Sequence, residues 1–495
     1  MLFRSPERLI GLGILMCALG LRLRYLSAGV PYGVGIDEPA IVDRALGILQ
    51  TGNWHPRGFD YPSLVIYLQA SVSVVRFLGG ALQGQWSSLS KYDISAVYEA
   101  GRLVAAIIGT ATVWLTYRLG KDLCSPALGL VAAAALAVHP MHVRESHFIL
   151  RDVPAAALVL LTLYLTVRAG RRHTVGGYAL AGCAAGLAAA AEYNAAVVAL
   201  VLGLAWLLHE RASPDRWWKA LAALVAVPLA FLAAVPYAII DLPGFLNGFG
   251  AQMARFAPQN ALPGADAPWR VYVTHLSLAW RLWVPTAILG AAVVLWRRQS
   301  LKQWAVPITF VMVYFYVVAS HAVVFGRYAL PLLPGLCLLA AVPVVELARL
   351  GALGFERRFV GPVLLVAGAA TMTAPFLSDS LTWLREFHRP DTRLLAGRWM
   401  RAAIPKGTRI VAEKGGPTHL RFAGFDVVDQ PDRVEASPDT YVKQGIDYVV
   451  IARYSAQAMP AYTTLVNAGR VVFQIEPSDE RWGPFVRVVK LARPQ

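Results

Sequence analysis

Charge is scarce in this chain. Only 15% of its 495 residues are charged, while 57% are hydrophobic. That composition is too apolar for a soluble enzyme. Cysteine is scarce too: Cys17, Cys124, Cys183 and Cys337 are the only four. All lie in or beside apolar runs and share no paired spacing, which argues against a disulfide framework or a zinc site. Acidic residues are outnumbered 30 to 46 by Lys and Arg, giving a net charge of +16. The excess sits mostly in short loops between apolar runs. That is a membrane-topology pattern and not a nucleic-acid-binding face. No internal repeat is visible. The first apolar run, Leu9 to Leu21, follows Arg4 and Arg8 but precedes no small-residue cleavage site, so it reads as a retained span.

What is abundant is membrane-length hydrophobicity. A bilayer core takes about 20 mostly apolar residues per helix. Candidate spans are 8–26, 98–118, 127–143, 152–168, 175–191, 194–210, 219–238, 282–296, 304–320, 328–348 and 359–376. This is a mainly α, polytopic membrane protein of about eleven transmembrane helices. A further stretch, 62–84, carries Gln69, Ser71, Ser73 and Arg76. Counting it as a span would separate the N-terminus from the basic loops, so it reads as interfacial or re-entrant. Those loops are Arg118/Lys121, Arg168/Arg171/Arg172, Arg211/Arg216/Lys219, Arg297/Arg298/Lys302 and Arg349/Arg357/Arg358. The N-terminus is then cytoplasmic and the C-terminus outside. Glu192-Tyr193-Asn194 breaks an overlong run at a tight outer turn.

The composition changes near Ser378. Short apolar strands are expected at Arg409 to Ala412, Phe425 to Val428, Asp447 to Ala452 and Phe485 to Leu491, with a helix over Asp391 to Ala403. Pro405-Lys406-Gly407 and Gly415-Gly416-Pro417 read as turns. The expected domains are a transmembrane module, 1–377, and a small extracytoplasmic α/β domain, 378–495. The first outer loop, 27–97, lies within the former and carries interfacial helices.

The outer face collects polar residues. Gly35-Ile36-Asp37-Glu38-Pro39 opens an amphipathic surface helix, with Asp37 or Glu38 at its cap. A carboxylate there is favoured by the helix dipole and can serve as a general base, or can simply cap the helix. Asp60 lies in Phe59-Asp60-Tyr61-Pro62. His139, His142 and His147 share a loop with Glu145 and Asp152. They could bind a metal, although their spacing fixes no geometry. Glu192 and Tyr193 are further cavity candidates. Arg327 and Arg102 begin spans on the same side. Each can snorkel to the interface or bind phosphate through its guanidinium fork.

Four stretches together resemble the GT-C glycosyltransferases of the protein O-mannosyltransferase and aminoarabinose-transferase type. The first is Asp37-Glu38 with its surface helix ending in Thr51-Gly52-Asn53-Trp54. The second is Phe59-Asp60-Tyr61-Pro62. The third runs from Gly101-Arg102-Leu103 through Thr116-Tyr117-Arg118-Leu119-Gly120 to His139-Pro140 and Arg151-Asp152-Val153-Pro154. The last is Gly326-Arg327-Tyr328-Ala329-Leu330-Pro331. The resemblance implies Asp37 as the base, with Glu38 beside it, and Asp152 as a second active-site carboxylate. It implies Asp60 as a cavity residue and Arg327 at the lipid phosphate. Two positions depart from the pattern. Glu192 stands where relatives often carry Lys, and Pro39, Ala40 and Ile41 stand where an aromatic residue often follows the acidic pair. A bare Glu192 would repel a phosphate unless protonated or bridged by a cation.

The expected reaction is an inverting transfer of a sugar from a polyprenyl-phosphate lipid to a hydroxyl of a glycan, lipid or protein, in a bacterial inner membrane. No cofactor is required in this reading, though a divalent cation is compatible with it. Nucleic acid is not an expected partner. Two other classes compete. A flippase for polyprenyl-linked sugars would show repeats and midplane polar residues. An assembly protein would act through its outer domain.

Overall fold

The computed structural model describes residues 6–260, 266–298, 300–354, 359–435 and 437–491. Arg4, Arg357 and Arg358 lie outside the described residues. Among those described, seven helices are long and apolar enough to cross a membrane: Leu64–Leu82, Ile94–Leu123, Asp152–Arg172, Arg216–Ala234, Leu301–Ala319, Gly326–Gly354 and Val360–Phe387. Shorter apolar helices are Pro126–Val138, Val175–Ala191, Tyr193–His209 and Trp283–Arg297. The N-terminal helix is Pro6–Leu23. The protein is a polytopic helical membrane protein with a small sheet domain. The stretch expected to be interfacial, 62–84, folds as Leu64–Leu82 and meets the length and composition of a span. The last long helix continues to Phe387, beyond the expected end at 376.

The chain forms two compact units. One comprises Met1–Arg24, Arg44–Val72 and Arg102–Leu381; the other comprises Tyr25–Asp43, Ser73–Gly101 and Thr382–Gln495.

In the first unit, small residues let helices approach closely. A Cβ on Gly186 would stand 2.2 Å from the Val227 carbonyl oxygen of helix Arg216–Ala234. Lipid offers no hydrophobic drive between helices, so this backbone proximity supplies dispersion contact. Helix Val175–Ala191 ends where expected, with Glu192 extended at φ −151° and ψ 124°. Helix Pro126–Val138 ends at His139 because Pro140 starts the six-residue helix Pro140–Glu145. Its last carbonyls have no intrahelical donors. Buried Arg22 donates to Ala137 O at 2.9 Å and Leu136 O at 3.3 Å, and Ser380 donates to Val138 O at 2.7 Å. In the basic loops, Lys219 and Glu210 form a fully buried pair at 2.8 Å. Helices Tyr237–Ile240, Leu242–Phe256 and Pro268–Ser277 fall largely outside the expected spans.

The second unit is built on a five-stranded sheet: β1 Arg409–Ala412, β2 Asp426–Asp429, β3 Tyr448–Arg453, β4 Gly469–Ile475 and β5 Phe485–Leu491, in the order β2-β1-β3-β5-β4. β1 pairs parallel with β2 and β3, whereas β5 pairs antiparallel with β3 and β4. The period-two alternation of a strand supplies both faces. On β3, Val450 and Ala452 enter one core with Met400, Leu420 and Val488. Val449 and Ile451 enter the other with Tyr441, Tyr462 and Leu465. Four expected strands and the helix Thr392–Ala403 are present; β4 is additional. Tyr32, from the first loop, belongs to the first of these cores.

Candidate active site

In the first unit, charged residues gather where apolar helices start and stop. Arg151 precedes helix Asp152–Arg172, and Glu192 follows helix Val175–Ala191. Arg151 Nε lies 2.5 Å from Glu192 Oε2, with side chains 7% and 6% exposed. The guanidinium also lies over the Tyr61 ring, 4.0 Å from its centroid. That distance is within cation–π range. The Nη1 of Arg151 is buried with no hydrogen-bond partner among the described residues. The cation nearest Glu192 is thus a neighbouring side chain, Arg151.

Beside this pair, Asp152 Oδ2 lies 3.6 Å from Arg327 Nε. Arg327 begins the short 3-10 segment Gly326–Leu332 and packs over Phe325 and Tyr328, at 4.7 and 5.8 Å to their ring centroids. Asp60 is held by Arg44, at 2.7 Å. The Arg44 guanidinium lies 5.6 Å from the same Tyr61 ring that Arg151 covers. Tyr193 donates its hydroxyl to Phe59 O at 3.0 Å, tying the Glu192 turn to the Asp60 turn. Tyr61 thus links the acidic turn to the Arg151–Glu192 pair. Of the residues singled out from sequence, Asp60, Asp152, Glu192, Tyr193 and Arg327 share this region. Arg151, Tyr61 and Arg44 are additions. Arg151 carries a readable signal, a cation next to the acid that starts an apolar run.

The histidines serve a different purpose. His142 Nδ1 lies 2.9 Å from Arg22 Nη2, and buried His139 packs 4.6 Å from Phe376 and 5.8 Å from Trp283. His147 bridges Val143 O and Arg24 O. Among the described residues, no group of three or more His, Cys, Asp or Glu side chains is arranged to hold a metal ion. Arg102 is buried, with its guanidinium 5.7 Å from the Phe148 ring. At the start of helix Leu242–Phe256, Asp241 pairs with His55 at 3.0 Å, within a group of aromatic rings from Phe59, Tyr237 and Phe245. Asp241 also caps its helix by accepting from Gly244 N. This bonding, first the His55 side chain and then Gly244 N–H, holds its carboxyl below the usual range.

Asp37 and Glu38 belong to the second unit. The surface helix runs Glu38–Thr51, as expected. Glu38 is buried, and its carboxylate accepts from Gly35 N at 2.8 Å. Asp37, half-buried, precedes the first helical residue.

Residues 93–240 match the family described as dolichyl-phosphate-mannose-protein mannosyltransferase. No curated protein matches the whole sequence at a significant level. Among solved structures, ArnT from Cupriavidus metallidurans, bound to undecaprenyl phosphate, is similar with a TM-score of 0.62 at 14% identity. That match covers 99% of this chain and 98% of that one. The apo oligosaccharyltransferase of Archaeoglobus fulgidus is similar with a TM-score of 0.61 at 12% identity, covering 100% of this chain and 75% of that one. At such identities the shared property is the fold.

Proposed function

Because the chain has the GT-C glycosyltransferase fold and the mannosyltransferase family match over 93–240, we propose that it moves a sugar from a polyprenyl-phosphate lipid to a hydroxyl acceptor. The observation that most supports this reading is the buried cluster Arg151–Glu192 and Arg327–Asp152, walled by Tyr61. It puts two guanidinium groups and two carboxylates among apolar helices, a costly arrangement that marks a functional site. The transfer inverts the anomeric centre. Asp37 takes the proton of the acceptor hydroxyl as its oxygen attacks the anomeric carbon. The bond from that carbon to the phosphate oxygen breaks, and polyprenyl phosphate leaves with the electron pair. Guanidinium groups of Arg327 and Arg151 bind the leaving phosphate, so no general acid is needed; a divalent cation is compatible with this scheme and not required by it. Asp152 and Asp60 orient the acceptor or stabilise positive charge on the sugar, and Arg102 adds to the positive field. With Leu64–Leu82 taken as lying along the interface, the basic loops put the N-terminus in the cytoplasm and the sheet domain outside a bacterial plasma membrane.

The test uses purified protein in detergent with a panel of radiolabelled polyprenyl-phosphate sugars and total membranes as acceptor source. Transfer should release polyprenyl phosphate. Asp37→Asn should lower the rate by about 10² or more without weakening donor binding. Near-normal transfer by Asp37→Asn would remove it from the role of base.

A further inference from the structure

The residues just before Asp37 are gripped by the C-terminal part of the same unit. Tyr32 is 4% exposed and sits in the core beside Met400, Leu420 and Val488. Gly397 leaves room for it, since a Cβ there would stand 2.3 Å from Tyr32 Cγ. On either side of this anchor, successive backbone carbonyls are taken up. Thr418 donates its hydroxyl to Pro31 O at 2.8 Å and its backbone N–H to Tyr32 O at 2.9 Å. Arg393 donates Nη2 to Gly33 O at 3.1 Å.

Arg393 is itself fixed. It is 2% exposed and holds Asp391, fully buried, through Nη2 to Oδ2 at 2.7 Å and Nε to Oδ1 at 3.1 Å. A bidentate guanidinium–carboxylate pair has both energy and direction, so the donor that remains is aimed. Asp391 leaves no space at Gly33: a Cβ there would lie 2.7 Å from Asp391 Cγ. One residue after Thr418, His419 shares a 2.6 Å hydrogen bond with the Tyr98 hydroxyl and has Asp43 Oδ1 at 3.7 Å, on the surface helix that follows Asp37. The chain is therefore held before Asp37 by three carbonyl contacts and after it through His419.

We infer that Arg393 and Thr418 are positioning residues for Asp37, and that the C-terminal sheet domain sets the place of the base. This rests on the reading of Asp37 as base. Hydrogen bonds to three consecutive carbonyls exceed what is needed to attach a loop. They fix the backbone path into the helix start at Glu38, and displacements of about 1 Å at a catalytic group can cost about 10²-fold in rate.

The experiment compares Thr418→Val, Thr418→Ser, Arg393→Lys and Asp37→Asn in the full-length protein. Each is assayed by transfer from polyprenyl-phosphate-mannose, or the panel sugar that proves active, and by hydrogen exchange of the 31–38 peptide. Thr418→Val should lower kcat about tenfold with donor KM unchanged within about twofold, and should speed exchange at 31–38. Arg393→Lys keeps the charge opposite Asp391 but loses the second fork arm, and should act in the same direction. Thr418→Ser, which keeps the hydroxyl, should restore both readouts. Wild-type kcat and wild-type exchange in folded Thr418→Val and Arg393→Lys would overturn the inference. So would a rise in donor KM at constant kcat, or a failure of Thr418→Ser to rescue. Unimpaired transfer by Asp37→Asn would instead sink the base assignment, while the exchange readout would still decide whether the segment is held as described.

Discussion

Arg151 and Glu192 stand 2.5 Å apart with both side chains buried. Read alone, Glu192 is a negative charge where a phosphate lipid would need a positive one. In the fold it faces the Arg151 guanidinium, whose Nη1 is buried with no hydrogen-bond partner among the described residues. A guanidinium suits this task since it stays protonated and its fork serves two acceptors.

The pair gives the first prediction. Removing one member of a buried ion pair leaves an uncompensated charge and costs about 3–5 kcal/mol, whereas replacing both by apolar groups is often neutral. Arg151→Met should lower the melting midpoint of the detergent-purified protein markedly. Arg151→Met/Glu192→Met should recover most of that loss and still fail in transfer. Equal melting of single and double variants would show that the two side chains do not depend on each other.

A second prediction concerns the end of helix Pro126–Val138. Ser380 supplies one neutral hydrogen bond to Val138 O, so Ser380→Ala should cost about 1 kcal/mol. Arg22 serves the neighbouring carbonyls Leu136 O and Ala137 O as a buried charged donor. Arg22→Met should cost more, roughly 3 kcal/mol. Thermal melts of both variants check the order. A Ser380→Ala penalty equal to or above that of Arg22→Met would contradict it.

The third prediction is a pH dependence. Burial pushes His419 down to about 4 from an ordinary value near 6.5. The unfolded chain then takes up the proton first as pH falls. Between about pH 6.5 and 4, acid therefore favours unfolding through this residue. The stability of the wild type relative to His419→Gln should fall as pH is lowered from 7 towards 4.5 and stay constant above 7. Melting midpoints across that range, with hydrogen exchange of the 415–425 peptide, provide the measurement. A difference between the two proteins that does not change with pH would mean that His419 takes up its proton at the same pH in the folded and unfolded chains, and would contradict the prediction.

Much of the architecture is legible in local sequence because its causes are local. Apolar runs of span length become helices in a solvent that cannot satisfy a bare backbone. Pro140 restarts a helix, and the break at Glu192 falls where a single run would exceed one span. Strands β1, β3 and β5 announce themselves by β-branched runs. Other elements did not. The strand β4 begins with Gly469 and has no clear alternation, so only its pairing with β5 makes it a strand. The distribution of basic loops argues against a span at Leu64–Leu82, yet its length and composition allow one.

The sequence by itself determined that this is a membrane protein with a sheet domain at its end, and that acids and arginines stand at helix starts. Those properties follow from composition and from residues a few positions apart. Which carboxylate meets which guanidinium is a matter of partners up to hundreds of residues away. Arg151 chooses Glu192, His142 turns to Arg22, and Arg393 reaches Gly33 across 360 positions. Such pairings depend on angstrom-scale approach after the helices and the sheet have packed. The charge of a lone residue is written in the chain, but its neutralisation is decided only by the tertiary structure.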